Sequence, residues 1–521
     1  MSESALTRNR KKQASTKPKS KIGFISAVLL VIGSSIGAGI FLKNGEILDN
    51  VAGSNHIINI VLSMVCWIIA VIGIIAMGLT LAELCSGSGD NNSQGIIGWV
   101  KTFNSRFLYQ GFKNFMAYIY LPINMVIMSY YSTQMILQGL PNNVGYKVPW
   151  YAITLISFGI TMWFLWMSGL SAKMTNVQNW IITSVKFIPL AFAAIIGYVV
   201  VGTGGVPSSV AHVVVDSNSG PRTFNSLTPF LGIMASIPAI FFAYDGFYTT
   251  AGIQTEMKDP KKVSMVMTVG LLIVSAIDIL ISISLLIPHY SAGTITSLRD
   301  WFDAKGLEWL YTTIQLMIAF GIFGILNGYA MYTGKFYEDL VIKHEIPFSH
   351  KYQNKTNIHR PITGLIYAFI LITFYFLFNT SIGLVYLHDN YDSTQWSTRT
   401  GGIFQFNDLV ANWTSLFAFM CIVVAQIGAL INRKTHKVKT EQHKMFKPCA
   451  YISIIVVGIS LLFVIVSALA NIGLDGTFIH TKGMDHTTKD KLIGDILTVI
   501  VLLVFVSIMF VPPLIQRRHW K

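Results

Sequence analysis

The feature that most constrains this chain is a series of long apolar runs that cover most of its 521 residues. Most of these runs are longer than the roughly 20 residues that a helix needs to cross the hydrocarbon of a bilayer. The sequence therefore predicts an all-α polytopic membrane protein with about twelve transmembrane helices, here called spans 1 to 12. The predicted spans are residues 23–42, 57–82, 107–138, 149–169, 179–202, 227–253, 265–288, 310–332, 361–387, 405–431, 449–472 and 492–514.

The positive charge of the chain is concentrated on one side of the predicted bundle. The formal net charge is +14, and most of the 38 lysines and arginines fall in the termini and in the loops on the same side. This asymmetry indicates membrane orientation rather than a nucleic-acid partner, and it predicts a cell-membrane protein with both termini cytoplasmic. Residues 1–22 form a predicted disordered basic tail. Binding of that tail to anionic membrane lipid is the alternative use of its charge.

The sequence contains no pattern typical of an enzyme. No nucleophile elbow and no phosphate-binding glycine loop ending in Lys-Ser or Lys-Thr occurs, and the four cysteines have neither metal-ligand nor disulfide spacing. We therefore expect no enzymatic activity, no cofactor and no metal. No polar stretch is long enough for a soluble domain, so the function is expected to reside in the helix bundle.

Span 1 contains the stretch "IGSSIGAGIF", whose small residues make poor helix at membrane depth. A helix break there leaves backbone groups that need a polar partner. With the N-terminus inside, the outer half of the span begins near Ala38, so its amides and positive dipole end suit a carboxylate. Gly37 and Gly39 allow a ligand to approach the backbone closely. Close packing of helices through small residues is the alternative explanation.

Span 6 contains a second such stretch, "FFAYDGFYTTAG". Its outer half ends between Phe242 and Asp245 and presents carbonyl groups and a negative dipole end, which suit an ammonium group. The two breaks together offer donors for an anion and acceptors for a cation. This combination matches the polar part of a zwitterionic α-amino acid, and it predicts a binding site between spans 1 and 6.

Three ionisable residues lie deep within apolar sequence, where function is the first hypothesis. Asp245, at the span 6 break, is a candidate to contact a substrate ammonium or a proton, or to cap the following half-helix. Lys186 in span 5 is a candidate to satisfy carbonyl groups of span 1 as a bound cation would, and snorkelling to an interface is its alternative. Asp278 in span 7 is expected to make a structural hydrogen bond.

The chain resembles the amino acid-polyamine-organocation superfamily, in particular the bacterial amino acid permeases and exchangers related to the light subunits of L-type transporters. The residues that carry this resemblance are "IGSSIGAGIF" in span 1, "LAEL" at the end of span 2, "VKFIP" in span 5, and "FFAYDGF" followed by "TEMKDPKK" around the end of span 6. One departure is the pair Gly37-Ala38, since the family often has serine at the second position.

The resemblance implies a fold with an inverted five-helix repeat, broken helices 1 and 6, and two additional helices. Because five is odd, the second copy crosses the membrane in the opposite direction to the first. The implied units are residues 23–202 (spans 1 to 5), 227–431 (spans 6 to 10), 449–514 (spans 11 and 12) and a cytoplasmic tail at 515–521.

The resemblance also implies the roles of individual residues. Backbone groups at the two breaks contact the substrate, the ring of Phe242 acts as a gate, and Lys186 stands where sodium-coupled relatives bind sodium. The implied substrate-binding residues are Ile36, Gly37, Ala38, Gly39, Phe242, Ala243 and Asp245.

The sequence thus predicts a secondary transporter that carries α-amino acids by alternating access, through proton coupling or exchange rather than sodium symport. A polyamine or organic-cation transporter that uses Asp245 as counter-charge is one alternative. A non-transporting amino acid sensor on the same scaffold is another. Neither the identity of the amino acid nor an oligomeric state follows from the sequence.

Overall fold

The computed structural model describes residues 23–35, 39–51, 56–88, 95–203, 224, 227–248, 257–259, 262–288, 293–347, 349–352, 356–357, 360–385, 396–482 and 486–517. The predicted basic tail at 1–22 and the predicted site residues Ile36, Gly37 and Ala38 lie outside this part of the chain. We call the side on which span 1 begins the inner side, and the opposite side the outer side.

The described residues are helical and contain no β-strand. In the described part of the chain, nine helices are long and apolar enough to cross a membrane, and spans 1, 3 and 6 are built from shorter pieces, so the predicted all-α fold with about twelve spans is confirmed. The helices are Phe24–Ser35 and Gly39–Asn50 (span 1), His56–Ser88, Arg106–Phe115 and Leu121–Gln138 (span 3), Trp150–Leu170, Ala172–Gly202, Pro229–Ala243 (span 6), Val263–Leu286, Glu308–Ile342, Ile362–Val385, Thr398–Thr435, Phe446–Lys482 and His486–Arg517. Shorter helices are Ile96–Phe103, Arg299–Ala304 and Ser349–Tyr352, with 3₁₀ turns at Pro141–Lys147 and Ile295–Leu298.

The packing of the spans repeats with an offset of five. The inner half of span 1 packs on span 7, and span 6 packs on span 2; span 4 packs on span 8, and span 9 on span 3. Likewise span 5 contacts spans 7 and 8, and span 10 contacts spans 2 and 3. Adding five to both span numbers of one contact gives the other contact, and ten is subtracted from any number above ten. The contact of span 1 with span 7 thus corresponds to the contact of span 6 with span 2. Since span 1 starts on the inner side and span 6 on the outer side, the repeat is inverted.

Spans 11 and 12 lie outside this repeat. Span 11 packs mainly against span 2, and span 12 packs against the inner helix of span 3 and against span 11. The residue boundaries of the units, 23–202, 227–431 and 449–514, stay predictions.

The outer helix of span 6 has clear start and stop signals. Thr228 caps its first turn, because its hydroxyl accepts a hydrogen bond from the Leu231 amide at 3.4 Å, and Pro229 occupies the first helical position. The helix ends at Ala243, and a turn follows in which Gly246 has φ of 105°. A side chain at that φ would be strained, so the glycine permits the turn at mid-span.

Candidate functional site

The outer halves of spans 1 and 6 meet at Gly39 and Ala243. A Cβ atom built on Gly39 would lie 2.3 Å from the Cα of Ala243, a distance at which backbone atoms would clash. Glycine is therefore required for this close approach. The structure thus brings together the ends of the two helices that the sequence predicted to form the site.

A small cavity lies beside this contact, between spans 1, 3, 6 and 8. Its volume is about 20 Å³, which is room for about one water molecule. A larger guest requires the surrounding side chains to move. Four predicted site residues line the cavity, together with three that were not predicted: Gly39, Phe242, Ala243 and Asp245, with Met128, Ile325 and Tyr329.

The Asp245 carboxylate is held by hydroxyl groups from three spans, and a hydroxyl from a fourth span contacts one of these. Tyr120 of span 3 lies 2.9 Å from both carboxylate oxygens, and Tyr248 donates to Oδ1 at 2.8 Å. Ser415 of span 10 donates to Oδ2 at 3.4 Å. Tyr329 of span 8 lies 3.0 Å from the Tyr120 hydroxyl. We call Asp245, Tyr120, Tyr248 and Tyr329 the tyrosine cluster.

The tyrosine cluster contains one acidic group and, among the described residues, no ion pair to it within 4 Å. A hydroxyl carries only one proton to donate, and the Tyr120 hydroxyl faces Asp245, Tyr248 (2.6 Å) and Tyr329. The protons of the cluster can therefore be arranged in more than one way. Such a cluster can accept a hydrogen bond from an ammonium group or take up a proton at the edge of the cavity.

A local irregularity in span 3 places Tyr120 in this cluster. Residues Met116–Tyr120 form one turn of π-helix between the helices Arg106–Phe115 and Leu121–Gln138. A π turn inserts an extra residue into the helical repeat and so rotates the side chains that follow it, and such turns are frequent at functional sites. Nothing in the sequence pattern of span 3 predicted this turn.

Lys186 contacts span 1, and its replacement of a bound cation at the span 1 break stays a prediction. Its ammonium group donates a hydrogen bond to the carbonyl oxygen of Gly33, in the last turn of the inner helix of span 1. Its stem passes span 8, where a Cβ on Gly321 would lie 3.7 Å from the Lys186 Cβ. The charged group thus points into the bundle between spans 1, 5 and 8 rather than to an interface.

The outer side of the cavity is covered by the Phe242 ring and a buried ionic group above it. Lys43, only 1% exposed, lies 2.9 Å from Glu46 and 3.0 Å from Asp408 of span 10. Its ammonium group lies 5.4 Å from the centre of the Phe242 ring. Tyr131 of span 3 donates to Asp408, and its ring is 5.8 Å from that of Phe242. We call Lys43, Glu46, Asp408 and Tyr131 the outer lock.

Sequence reasoning missed the outer lock and most of the tyrosine cluster. One signal was available: Lys43 follows Gly39 by four residues, which places both on one face of the outer helix of span 1. Tyr120, Tyr131, Tyr329 and Asp408 carried no comparable signal, since each lies in a span whose rotation the sequence does not reveal.

The remaining buried carboxyl group, Asp278, lies outside the cavity. It is 2% exposed on span 7, one turn after Ser275, and interacts with the hydroxyl of Tyr244. That hydroxyl donates to Ser275 at 2.9 Å. Asp278 thus lies beside Tyr244, behind the span 6 turn, and a structural hydrogen bond stays the role predicted for it.

Comparison with known proteins identifies a family whose sequence model matches nearly the whole chain. Residues 22–517 match the amino acid permease family. An uncharacterized protein of Mycoplasma pneumoniae is 37% identical, with 96% of this chain and 95% of that protein covered. The serine/threonine exchanger SteT of Bacillus subtilis is 26% identical over 64% of this chain and 70% of its own length. A solved manganese transporter from Eremococcus coleocola has 12% identity, covers 97% of both chains and gives a TM-score of 0.48.

Proposed function

The chain belongs to the amino acid permease family, and from this premise we propose that it is a secondary transporter that carries α-amino acids across the cell membrane by alternating access. Amino acid transport itself follows from the family and from relatives such as the serine/threonine exchanger. The location of the substrate, the gates, the coupling and the cytoplasmic position of the inner side are our proposals.

The observation that carries the proposed site is the cavity at the contact between Gly39 and Ala243. The first amides of the outer helix of span 1 and the last carbonyls of the outer helix of span 6 meet there, with Asp245 at the edge. Helix N-termini favour a carboxylate, and helix C-termini and carboxylates favour an ammonium group. We therefore place the common part of the amino acid here, at Gly37 to Gly39 and Phe242 to Asp245, with Met128 and Ile325 facing its side chain.

Access to this site from outside requires the outer lock to open. Because the cavity has only about 20 Å³, Phe242 must swing away before an amino acid can enter. The ring is held by Lys43 and Tyr131, so its movement is tied to the ion pairs of Lys43 with Asp408 and Glu46. Phe242 thus serves as the outer gate and the outer lock as its latch.

We propose exchange or proton coupling rather than sodium symport. Lys186 supports this proposal, because its ammonium group already occupies a carbonyl of span 1 that a sodium ion would otherwise share. The charged Lys186 side chain holds the inner helix of span 1 in place, and loss of the lysine's proton weakens this contact and frees the helix to move. Of these two modes, we favour exchange, because a relative is named as a serine/threonine exchanger.

An organic-cation transporter is the second candidate, because Asp245 offers the cavity a carboxylate with no ion pair among the described residues. A substrate that relies on Asp245 alone would not need its own carboxylate. Transport of a decarboxylated amino acid at the same rate as its parent would establish this candidate. Binding without flux would establish a sensor.

The decisive experiment measures uptake of each standard amino acid into proteoliposomes. The lumen is empty or preloaded with amino acids, and a pH gradient is present or absent. Uptake that needs only preloading establishes exchange, whereas uptake into empty vesicles driven by the pH gradient establishes proton symport. No flux of any amino acid under any of the four conditions would overturn the proposal.

A further inference from the structure

A second cavity lies on the outer side, away from the proposed substrate site. It has a volume of about 210 Å³ and lies between the outer helices of spans 1 and 6 and spans 10, 11 and 12. No residue lines both cavities. The larger cavity is ten times the size of the central one and far exceeds the roughly 15 Å³ that one water requires. We call it the outer cavity.

The charge of the outer cavity is negative. Glu46 of span 1 and Asp495 of span 12 are on its walls, and no lysine, arginine or histidine is among the described residues that line it. Asp495 accepts a hydrogen bond from Asn471 at 3.4 Å and forms no ion pair within 4 Å in the described part of the chain. Asp495 lies in the first turns of span 12, where it also interacts electrostatically with Asp475 and Lys491.

The side-chain amide of Asn412, at the outer cavity, has an oxygen that lacks a hydrogen-bond donor. Asn412 donates from Nδ2 to Glu46 Oε1 at 2.7 Å, which fixes the orientation of the amide. Its Oδ1 atom is buried and accepts no hydrogen bond. A buried acceptor without a donor is unfavourable by about 1–3 kcal/mol. The cavity therefore offers two carboxylates to a ligand, and the Asn412 oxygen lies behind its wall as a further acceptor without a donor.

The other walls of the outer cavity are apolar. Spans 10 and 11 contribute Leu409, Trp413, Leu416, Phe463 and Val464. Contact with such walls does not stabilise a fully hydrated small cation, whereas burial of an aliphatic chain against them is favourable. The acceptors and the apolar walls together match a cationic head on a hydrocarbon chain.

We propose that the outer cavity binds an ammonium or guanidinium group carried on an aliphatic chain. Its cationic head contacts Asp495 and Glu46, and its stem lies along spans 10 and 11. Two sources supply a cationic head: a free amine in solution, which also supplies the aliphatic stem, and the headgroup of an aminophospholipid, whose ammonium lies two carbons from a phosphate.

Occupancy of the outer cavity acts on the outer lock through Glu46. The same carboxylate accepts from Lys43 at 2.9 Å through Oε2 and from Asn412 through Oε1. A cation in the cavity competes with Lys43 for Glu46 and leaves Lys43 with Asp408 alone. The occupant therefore weakens the latch on Phe242 from a site that the substrate does not use.

The test uses agmatine, which has a guanidinium group, an amine and no carboxylate, and measures its binding to the purified protein by calorimetry in lipid-free detergent. The background is Met128→Trp, in which a larger side chain fills the central cavity from span 3, a span that contributes no wall to the outer cavity. We expect agmatine to bind this variant, and Asp495→Asn to weaken binding at least tenfold in the same background. Asp300→Asn, at an exposed acid on the outer surface, removes the same charge and should leave binding unchanged.

Failure of agmatine to bind the Met128→Trp background, or equal binding with and without Asp495, would overturn the proposal. Size-exclusion elution of each variant at the wild-type volume ensures that a loss is not unfolding. Nanodiscs then separate the two sources. Agmatine binding that is weaker in phosphatidylethanolamine than in phosphatidylcholine identifies the headgroup as the occupant, and equal binding identifies a free amine. Because the readout is binding, failure here leaves the proposed transport unaffected.

Discussion

At the scale of single residues, Gly39 lets the two halves of the site touch. We expect Gly39→Ala to abolish amino acid binding, because its new Cβ would lie 2.3 Å from the Ala243 Cα and would force spans 1 and 6 apart. Binding of radiolabelled substrate to purified protein measures this effect. Overpacking of this kind costs about 1–3 kcal/mol, so the variant should still fold.

The matched control for this prediction is Gly33→Ala in the same span. A Cβ on Gly33 meets no atom within 4 Å, so the same change of residue type adds no clash. Substrate binding should stay within twofold of wild type. Equal losses in the two variants would mean that helix propensity, not the contact with Ala243, explains the result.

Lys186 is the residue for which we predict the largest effect on transport. Lys186→Ala removes the donor to the Gly33 carbonyl, and a hydrogen bond from a charged group contributes about 1.5–3 kcal/mol. We expect the uptake rate to fall by about 10- to 100-fold, since 1.4 kcal/mol corresponds to tenfold. Ser184→Ala, at an exposed position in the same helix, is the control and should transport normally. Wild-type uptake by Lys186→Ala would refute the role proposed for it.

Asp245 should determine how the amine of the substrate is held. Asp245→Asn keeps the shape of the side chain but removes its charge, and we expect substrate affinity to fall about 10- to 100-fold for loss of a charge-assisted contact. Asp278→Asn, which neutralises a buried acid outside the cavity, should lower affinity far less. Competition binding with the amino acid and with its decarboxylated analogue provides the measurement. Unchanged affinity in Asp245→Asn would mean that backbone carbonyls alone hold the amine.

At the scale of helices and their contacts, part of the site was predictable and part was not. The breaks in spans 1 and 6 were found from sequence because glycine, serine and an aspartate within apolar runs are unusual at membrane depth. Tyr120 was not found, because a π turn rotates it towards Asp245 and no residue type specifies such a turn. The ion pair of Lys43 with Asp408 was not predicted for another reason. Asp408 is 365 residues away in the sequence, and only the packing of span 10 on spans 1 and 6 brings it near Lys43.

The outer lock yields a prediction about the movement of span 1 relative to span 10. Lys43→Met removes both ion pairs and the contact with the Phe242 ring. The outer side should then open more often. The probe is a cysteine at Met128, which lines the cavity, modified from outside by a charged thiol reagent. We expect modification to be about tenfold faster or more, the change that corresponds to about 1.4 kcal/mol.

Two controls make this measurement specific. The described native cysteines, Cys66, Cys85, Cys421 and Cys449, are buried, so the added thiol dominates the reaction. Lys147→Met removes an exposed lysine that follows span 3 on the outer side and should leave the rate unchanged. A rate in Lys43→Met equal to that in Lys147→Met would show that the lock does not limit opening.

At the scale of the whole molecule, the fold could be predicted far more completely than the site. Twelve spans follow from apolar length alone, because a long apolar run in a bilayer can pair its own backbone groups only as a helix. The offset of five in the packing was expected from the resemblance and is visible in which spans touch. The outer cavity was not predictable, because its walls come from five spans, and the sequence does not encode their relative rotation in any local pattern.

Among the described residues, two ion pairs join the two repeats on the inner side: Lys113 with Glu345 at 3.3 Å, and Arg433 with Glu83. Glu83, at the end of span 2 and 0% exposed, accepts from Arg433 at the end of span 10 through both oxygens, at 2.7 and 2.5 Å. The His443 amide also donates to Glu83, at 3.0 Å, so the loop between spans 10 and 11 is tied to the same carboxylate. A bidentate arginine–carboxylate pair of this kind fixes geometry as well as contributing energy.

Breaking this pair should destabilise the whole protein rather than alter substrate affinity. Arg433→Met leaves the Glu83 charge buried without its partner, which costs about 3–5 kcal/mol, and the thermal unfolding midpoint in detergent should fall by several degrees. Lys434→Met, the adjacent exposed lysine, should leave the midpoint unchanged. The double variant Glu83→Gln with Arg433→Met should recover part of the loss, because the unpaired charge is gone. A double variant as unstable as the sum of the two single variants would mean that the residues act separately and that the pair contributes no coupling energy.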